Sequence, residues 1–192
     1  MDADGLTFAC ATTAEERVAK RLGLRTVRVG VRAANGFPEA RLVSFGLAGA
    51  LDEAYRVGDV IDATRVVDEH GATLWEGPGL GVARARAATV LGVDRLVYDA
   101  ADRRRLRESS GAAAVDMESG VLARSGRLAG VVRAVSDGAE SAIGGVDTTV
   151  HPDGRTNVLG LVRWVAAKRG DAVRSMRDAV AALHALEESV AS

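Results

Sequence analysis

Apolar residues fall in short runs separated by polar or glycine-bearing breaks, and this predicts strands and helices taking turns along the chain. Leu6 to Cys10 is a short, mostly apolar run that reads as a buried strand. Thr12 and Thr13 each stand three residues before a glutamate, Glu15 and Glu16, a doubled capping-box pattern. It opens a helix through Leu22 that Gly23 closes. Val27, Val29 and Val31 alternate with Arg28 and Arg32, the period of a half-exposed strand. Asn35-Gly36 marks a turn, and Arg41 to Phe45 leads into Gly46-Leu47-Ala48-Gly49, which reads as a tight strand-to-helix turn. Asp59 to Val67 is rich in β-branched residues and predicts another strand.

Gly77-Pro78-Gly79 breaks the chain before a helix expected from about Val82 to Leu91. Arg95 to Tyr98 reads as a short strand, and Ala101 to Glu108 as a charged, exposed helix. Ala112 to Val115 is a brief apolar run ending at Asp116-Met117-Glu118, and Ser119 to Leu128 is expected to be helical. Gly130 to Ser136 is a strongly apolar strand ending at Asp137-Gly138. Residues Ala139 to Asn157 lack periodicity and read as an irregular loop. Two helices follow, Val158 to Arg169 and Ala172 to Val190, split by Gly170-Asp171. The pattern predicts one α/β domain over 1–192, with its core in 5–140 and C-terminal helices in 156–190.

Composition narrows the function classes. The chain has 192 residues, the size of one domain, and its 47% hydrophobic content excludes a disordered chain. A net charge of -1 gives no support for nucleic-acid binding. No apolar run approaches the roughly 18 residues of a membrane span. The start lacks the basic flank and apolar centre of an export signal. Cys10 is the only cysteine, so no intramolecular disulfide forms and a reducing, cytoplasmic setting is expected. His70, His151 and His184 are scattered and have no cysteine neighbours at zinc-ligand spacing, so no metal site is expected. Lys20 and Lys168 are the only lysines among 25 basic residues, a bias that genome composition alone produces.

In open α/β sheets, ligands bind at the carboxyl ends of strands. Glu15, Gly46 to Gly49, Ser136-Asp137 and, after a fourth short run, Met117-Glu118 all sit at such ends. Taken singly each has a plain structural explanation. Glu15 and Glu16 fit helix capping, Glu118 fits the first turn of a helix, where the macrodipole favours an anion, and Asp137 fits a turn or N-cap. Gly46-x-x-Gly49 lacks the third glycine of a dinucleotide fingerprint, and no P-loop Lys-Ser/Thr pair follows it. Together, carboxylates at three separate strand ends can converge on one crevice.

Three segments carry a resemblance. Ser44 to Leu51 followed by Val57-Gly58-Asp59-Val60 resembles the "GxAGxL … GD" segment of the nucleoside phosphorylase and nucleosidase superfamily. Ala114 to Ser119 is similar to its "VDME" segment, and Val132 to Asp137 to its "RxxSD" strand end, in the same order. The Phe45-Gly-Leu-Ala-Gly stretch, Asp116 to Ser119 and the tail after Pro152-Asp153-Gly154-Arg155 look most like the hopanoid-associated branch.

The resemblance implies a three-layer phosphorylase-like fold, a central mixed sheet flanked by helices with a C-terminal helical tail. It implies cleavage of the N-glycosidic bond of an adenine nucleoside, in the hopanoid-associated case one with a bulky apolar 5' substituent resembling adenosylhopane. Methylthioadenosine, S-adenosylhomocysteine or futalosine cleavage is the alternative within the superfamily, and a non-catalytic nucleoside-binding module the alternative outside it. Asp137 matches the acid that protonates the departing base, which calls for a partly buried carboxyl that keeps its proton near neutral pH. Glu118 matches the ribose-binding residue and is expected to stay ionised. Met117 would pack under the ribose, Ser136 would orient Asp137, Tyr98 would stack on the purine, and Gly46, Leu47, Ala48 and Gly49 would border the substrate.

Glu15, in preference to Glu16, matches the glutamate that orients water in the hydrolytic enzymes. Phosphate stays open as a co-substrate, with Arg17, Arg41 or a neighbouring subunit's arginine to hold it. Leu47 and Ser44 depart from the serine or threonine and the arginine that phosphorylases carry at those positions. No other cofactor is implied, and a homo-oligomer is. The apolar stripe in 158–169, with Trp164 nearby and Arg163, Lys168 and Arg169 alongside, reads first as a helix covering the sheet or a subunit contact, with peripheral membrane contact as the other reading.

Overall fold

A computed structural model describes residues 4–140, 149–157, 159 and 170–191. Eight strands form one mixed sheet. β1 (Leu6–Cys10) lies between β2 (Thr26–Arg28) and β3 (Arg41–Ala50), parallel to both. β3 also runs parallel to β8 (Leu128–Asp137) and meets β7 (Ala114–Asp116) antiparallel at Gly49 and Ala50. β8 pairs antiparallel with β4 (Val60–Val67), β4 parallel with β6 (Arg86–Gly92), and β6 parallel with β7. The strands β3, β8, β4, β6 and β7 therefore close into a ring, with β1 and β2 extending from β3. The short β5 (Thr73–Glu76) edges β4.

Helices flank this sheet. α1 (Thr13–Arg21) and α4 (Gly170–Ala191) cover one side, where Val18, Ala182 and Leu186 pack with Phe8, Phe45 and Val132. α3 (Ser119–Arg124) packs Leu122 and Ala123 into a second cluster with Val29, Ile61 and Val131. α2 (Ala100–Ser110) buries Leu106 against Leu51, Leu91 and Val115. Among the described residues no helix is long and apolar enough to cross a membrane.

The expected α/β layering with a C-terminal helix is present, and α1 begins on the predicted capping box. Thr12 Oγ1 accepts from the Glu15 amide, and the Glu15 side chain accepts from the Thr12 amide. Several elements differ from the sequence reading. The helix expected over Val82 to Leu91 is the strand β6 from Arg86. Its alanines and arginines favour a helix, but a strand flanked on both sides by parallel neighbours loses the alternation that would identify it. Gly46 to Gly49 is no turn, because β3 continues through it to Ala50.

Arg95 to Tyr98 forms no strand, and the helix from Ser119 ends at Arg124. The strand at Val27 stops at Arg28, and Val31 enters a single 3-10 turn, Val31–Ala33. Gly170 and Asp171 lie within α4 rather than ahead of it. Within the loop expected from Ala139 to Asn157, residues 149–157 form a tight turn closed by a bridge between Val150 and Thr156. Apart from Leu159, the apolar stripe and Trp164 lie outside the described residues.

Candidate active site

The site is built at the carboxyl ends of β1, β3 and β8, around a buried guanidinium. Arg133, on β8, is almost wholly enclosed. Its Nε lies 2.7 Å from Asp116 Oδ2, an ion pair off the hydrogen-bond line, and its Nη2 donates to Ser44 Oγ at 2.6 Å. Nη2 also reaches Glu118 Oε2 at 3.4 Å, and Nη1 donates to the Leu47 carbonyl at 3.2 Å. These anions hold Arg133 firmly charged although burial works against it.

Glu15 reaches the same place from the first turn of α1. Its Oε2 accepts from the amide and hydroxyl of Thr12, at 2.8 and 3.0 Å, and its Oε1 accepts from the Leu47 amide at 2.9 Å. The contact needs Gly46, because a Cβ there would lie 2.1 Å from Glu15 Oε1 and 2.8 Å from Arg133 Nη1. Glu16, by contrast, pairs with Lys20 and Arg28 away from this cluster.

Glu118 is 4% exposed, and its Oε1 accepts from the Arg32 amide at 3.0 Å. That amide is aimed by a turn in which Arg32 and Ala33 both take left-handed φ angles, 54° and 56°. The turn is held by a Val31 amide bond to the Pro152 carbonyl at 2.9 Å. The Gly154 carbonyl accepts from the Thr13 amide at 3.1 Å, so the 149–157 turn straps both the start of α1 and the Arg32 turn. Asp116 rather than Glu118 caps α3, its Oδ1 accepting from the Glu118 and Ser119 amides at 3.1 and 2.8 Å. Burial pushes the Glu118 carboxyl up to about 7, with Asp116 and Glu15 adding to the rise, and Arg133 only partly offsets them. The expectation that Glu118 simply stays ionised therefore needs correction, since its burial outweighs its cation.

Asp137 forms a second cluster one step along the same strand ends. Its Oδ1 accepts from Ser136 Oγ at 2.7 Å, and its Oδ2 is ion-paired with Arg103 Nη2. Ser136 Oγ also lies 3.2 Å from the Ala48 carbonyl. Arg103 is 3% exposed and donates to the carbonyls of Ala50, Val97 and Gly138 at 3.2, 2.9 and 3.0 Å. Gly49 makes room for this pair, since a Cβ there would sit 3.0 Å from both Arg103 Nη1 and Asp137 Oδ2. Asp137 is thus partly buried as expected, and a guanidinium holds one of its two oxygens.

The segment 46–49 of β3 thus borders both clusters. Met117 packs against the apolar group that includes Leu51, Val97 and Leu106. Tyr98 is 50% exposed. Arg41 sits at the opposite end of β3 from Leu47, about 20 Å away along an extended strand. Arg17 lines a cavity of about 190 Å³ between α1 and α4. A second cavity, about 210 Å³, lies between Gly58, Arg84, Arg86 and α4, and apart from Arg17 none of the expected site residues lines either. Among the described residues no group of His, Cys, Asp and Glu is arranged to hold a metal ion.

Sequence reasoning missed Arg103, Arg32 and the part played by Asp116. Arg103 lay in a helix expected to be exposed, and only its i+3 spacing to the buried Leu106 marked that face.

No protein-family model matches the chain, and no curated protein does. Solved structures do. A Neisseria meningitidis 5'-methylthioadenosine/S-adenosylhomocysteine nucleosidase aligns over 97% of this chain and 96% of its own at 15% identity, with a TM-score of 0.61. A Helicobacter pylori enzyme of the same name aligns over 99% of both chains at 13% identity, with a TM-score of 0.59. Futalosine hydrolase of Helicobacter pylori aligns over 96% of both at 14% identity, with a TM-score of 0.57. The chain therefore has the fold of these nucleosidases, the one its three resembling segments led us to expect.

Proposed function

We propose that this protein cleaves the N-glycosidic bond of an adenine nucleoside and releases adenine, with water as the nucleophile. The observation that carries the reading is the meeting of Glu15 and Glu118 at Arg133, within a fold shared with nucleosidases. Breaking C1'–N9 leaves the bond's electron pair on the base and a cationic sugar. Asp137 donates a proton to the purine at N7, which relieves the charge on the base. Glu118, when ionised, accepts hydrogen bonds from ribose hydroxyls and steadies the cation. Glu15 accepts a proton from the water that bonds to C1'.

Water is favoured over phosphate by how the anion-binding donors are used. The Leu47 amide is already taken by Glu15, a built-in carboxylate, and Arg133 is surrounded by Asp116, Glu118 and Ser44. Arg41 and Arg17 lie away from this point. The resemblance to the hopanoid-associated branch supports a bulky apolar group at the 5' position.

The test is a panel of adenosine, methylthioadenosine, S-adenosylhomocysteine, futalosine and a 5'-alkylated adenosine, assayed for free base with and without phosphate. Base release should be independent of phosphate, and Glu15→Gln should lower kcat by roughly 10²–10⁴-fold. Strict dependence on phosphate would overturn the hydrolytic reading. Nucleoside binding by calorimetry with no base released from any member would mark a binding module instead.

A further inference from the structure

Among the described residues, Asp137 is the only carboxylate at the candidate site whose partner guanidinium comes from outside the three segments that carry the resemblance. That partner, Arg103, comes from α2. It has no opening through which to touch a ligand: it is 3% exposed, and both of its terminal nitrogens are engaged. Its three carbonyl acceptors belong to the end of β3, the residue after β8 and the loop before α2. The guanidinium is therefore fixed by backbone on three sides, and its remaining bond goes to Asp137 Oδ2. Ser136 Oγ holds the other oxygen, so the carboxyl cannot rotate freely. Gly49 supplies the space in which cation and anion meet.

We infer that Arg103 is a positioning residue for base departure, acting only through Asp137. This rests on the nucleosidase reading above. As C1'–N9 breaks and its electron pair moves to the base, the proton on Asp137 passes to N7 and the carboxyl becomes a carboxylate. A fixed guanidinium at Oδ2 stabilises that carboxylate as it forms, and it does so without rearranging. With Oδ2 taken by Arg103, Oδ1 is the oxygen left to carry and donate the proton. Lysine could supply the charge but not the fork that spans the carbonyls and the carboxylate.

A double-mutant cycle on the full chain tests this, with adenine release measured under single-turnover conditions for wild type, Arg103→Met, Arg103→Lys, Asp137→Asn and Asp137→Asn/Arg103→Met. Thermal melting of each variant confirms that it is folded at the assay temperature. Arg103→Met should lower the cleavage rate about 100-fold with the half-saturating substrate concentration nearly unchanged, and Arg103→Lys should recover a part of that loss. In the Asp137→Asn background the Arg103→Met change should cost less than about threefold. Equal losses in both backgrounds, or Lys and Met variants that fall equally, would overturn the role of Arg103 while leaving the nucleosidase reading intact. No base release by wild type would overturn that reading and the role together.

Discussion

Burial at Glu118 is opposed by one guanidinium shared with Asp116, and the result is a carboxyl lifted to about 7. The consequence for stability follows from linkage. Between the ordinary glutamate value of 4.5 and about 7, the folded protein keeps this proton and the unfolded chain has lost it. The contribution of Glu118 to stability is therefore full below pH 4.5 and drains away as pH rises through 7. Glu118→Gln cannot titrate. Its melting temperature relative to wild type should rise by about 3 °C or more between pH 5 and pH 8. A difference that stays flat with pH would show that the buried proton is absent. The residues whose placement was readable beforehand are those attached to a local signal: Glu15 through its capping box, Glu118 and Asp137 through their strand ends. Arg103 carried no such signal, because in Asp102-Arg103-Arg104-Arg105 its neighbours are indistinguishable from it until the helix docks. The spacing of Gly46 and Gly49 hinted at a ligand loop. In the folded chain each glycine leaves space for a charged side-chain pair instead.

At the scale of elements, β6 and α3 meet backbone to backbone. A Cβ on Gly92 would stand 2.4 Å from the Cα and N of Gly120, and neither atom can swing aside as a side chain would. Gly92→Ala should therefore cost about 1–3 kcal/mol in urea unfolding. Gly170→Ala, in the first turn of α4 where nothing among the described residues lies within 4 Å, should be neutral or slightly stabilising. Equal destabilisation by the two would count against this packing. The same junction explains the elements that sequence periodicity misassigned. Arg86-Ala87-Ala88 is good helix material, and its pairing with Ile61-Asp62-Ala63 of β4 makes it a strand. α3 stops at Arg124 and Gly126 turns the chain into β8, which begins at Leu128, two residues before the apolar run suggested. Elements with a cap or an unbroken apolar run, such as α1, β1 and β8, were legible. Those defined by their neighbours were not.

At the scale of the whole molecule, the ring is closed by β3 and β8, paired from Leu42 to Gly49. Amides in the middle of this ladder, such as Val43, Phe45, Val132 and Ala134, should be the slowest to exchange with deuterated water. Those of β5 and β2, at the two edges, should exchange fastest among the strands. A β3–β8 ladder that exchanged as quickly as β5 would mean that the ring opens independently of the rest.

The seam between β3 and β8 also has a meaning for synthesis. A nascent polypeptide that has left the ribosome only as far as Ser125 already holds Glu15, Gly46 and Glu118, but neither Arg133 nor Asp137. Until β8 emerges, one long side of β3 offers its backbone to any passing strand, a hazard for neighbouring unfinished chains. When β8 zips into place it hides that edge and delivers both remaining charged residues in one event. The 149–157 turn that straps α1 and the Arg32 turn emerges later still and locks what β8 has brought together.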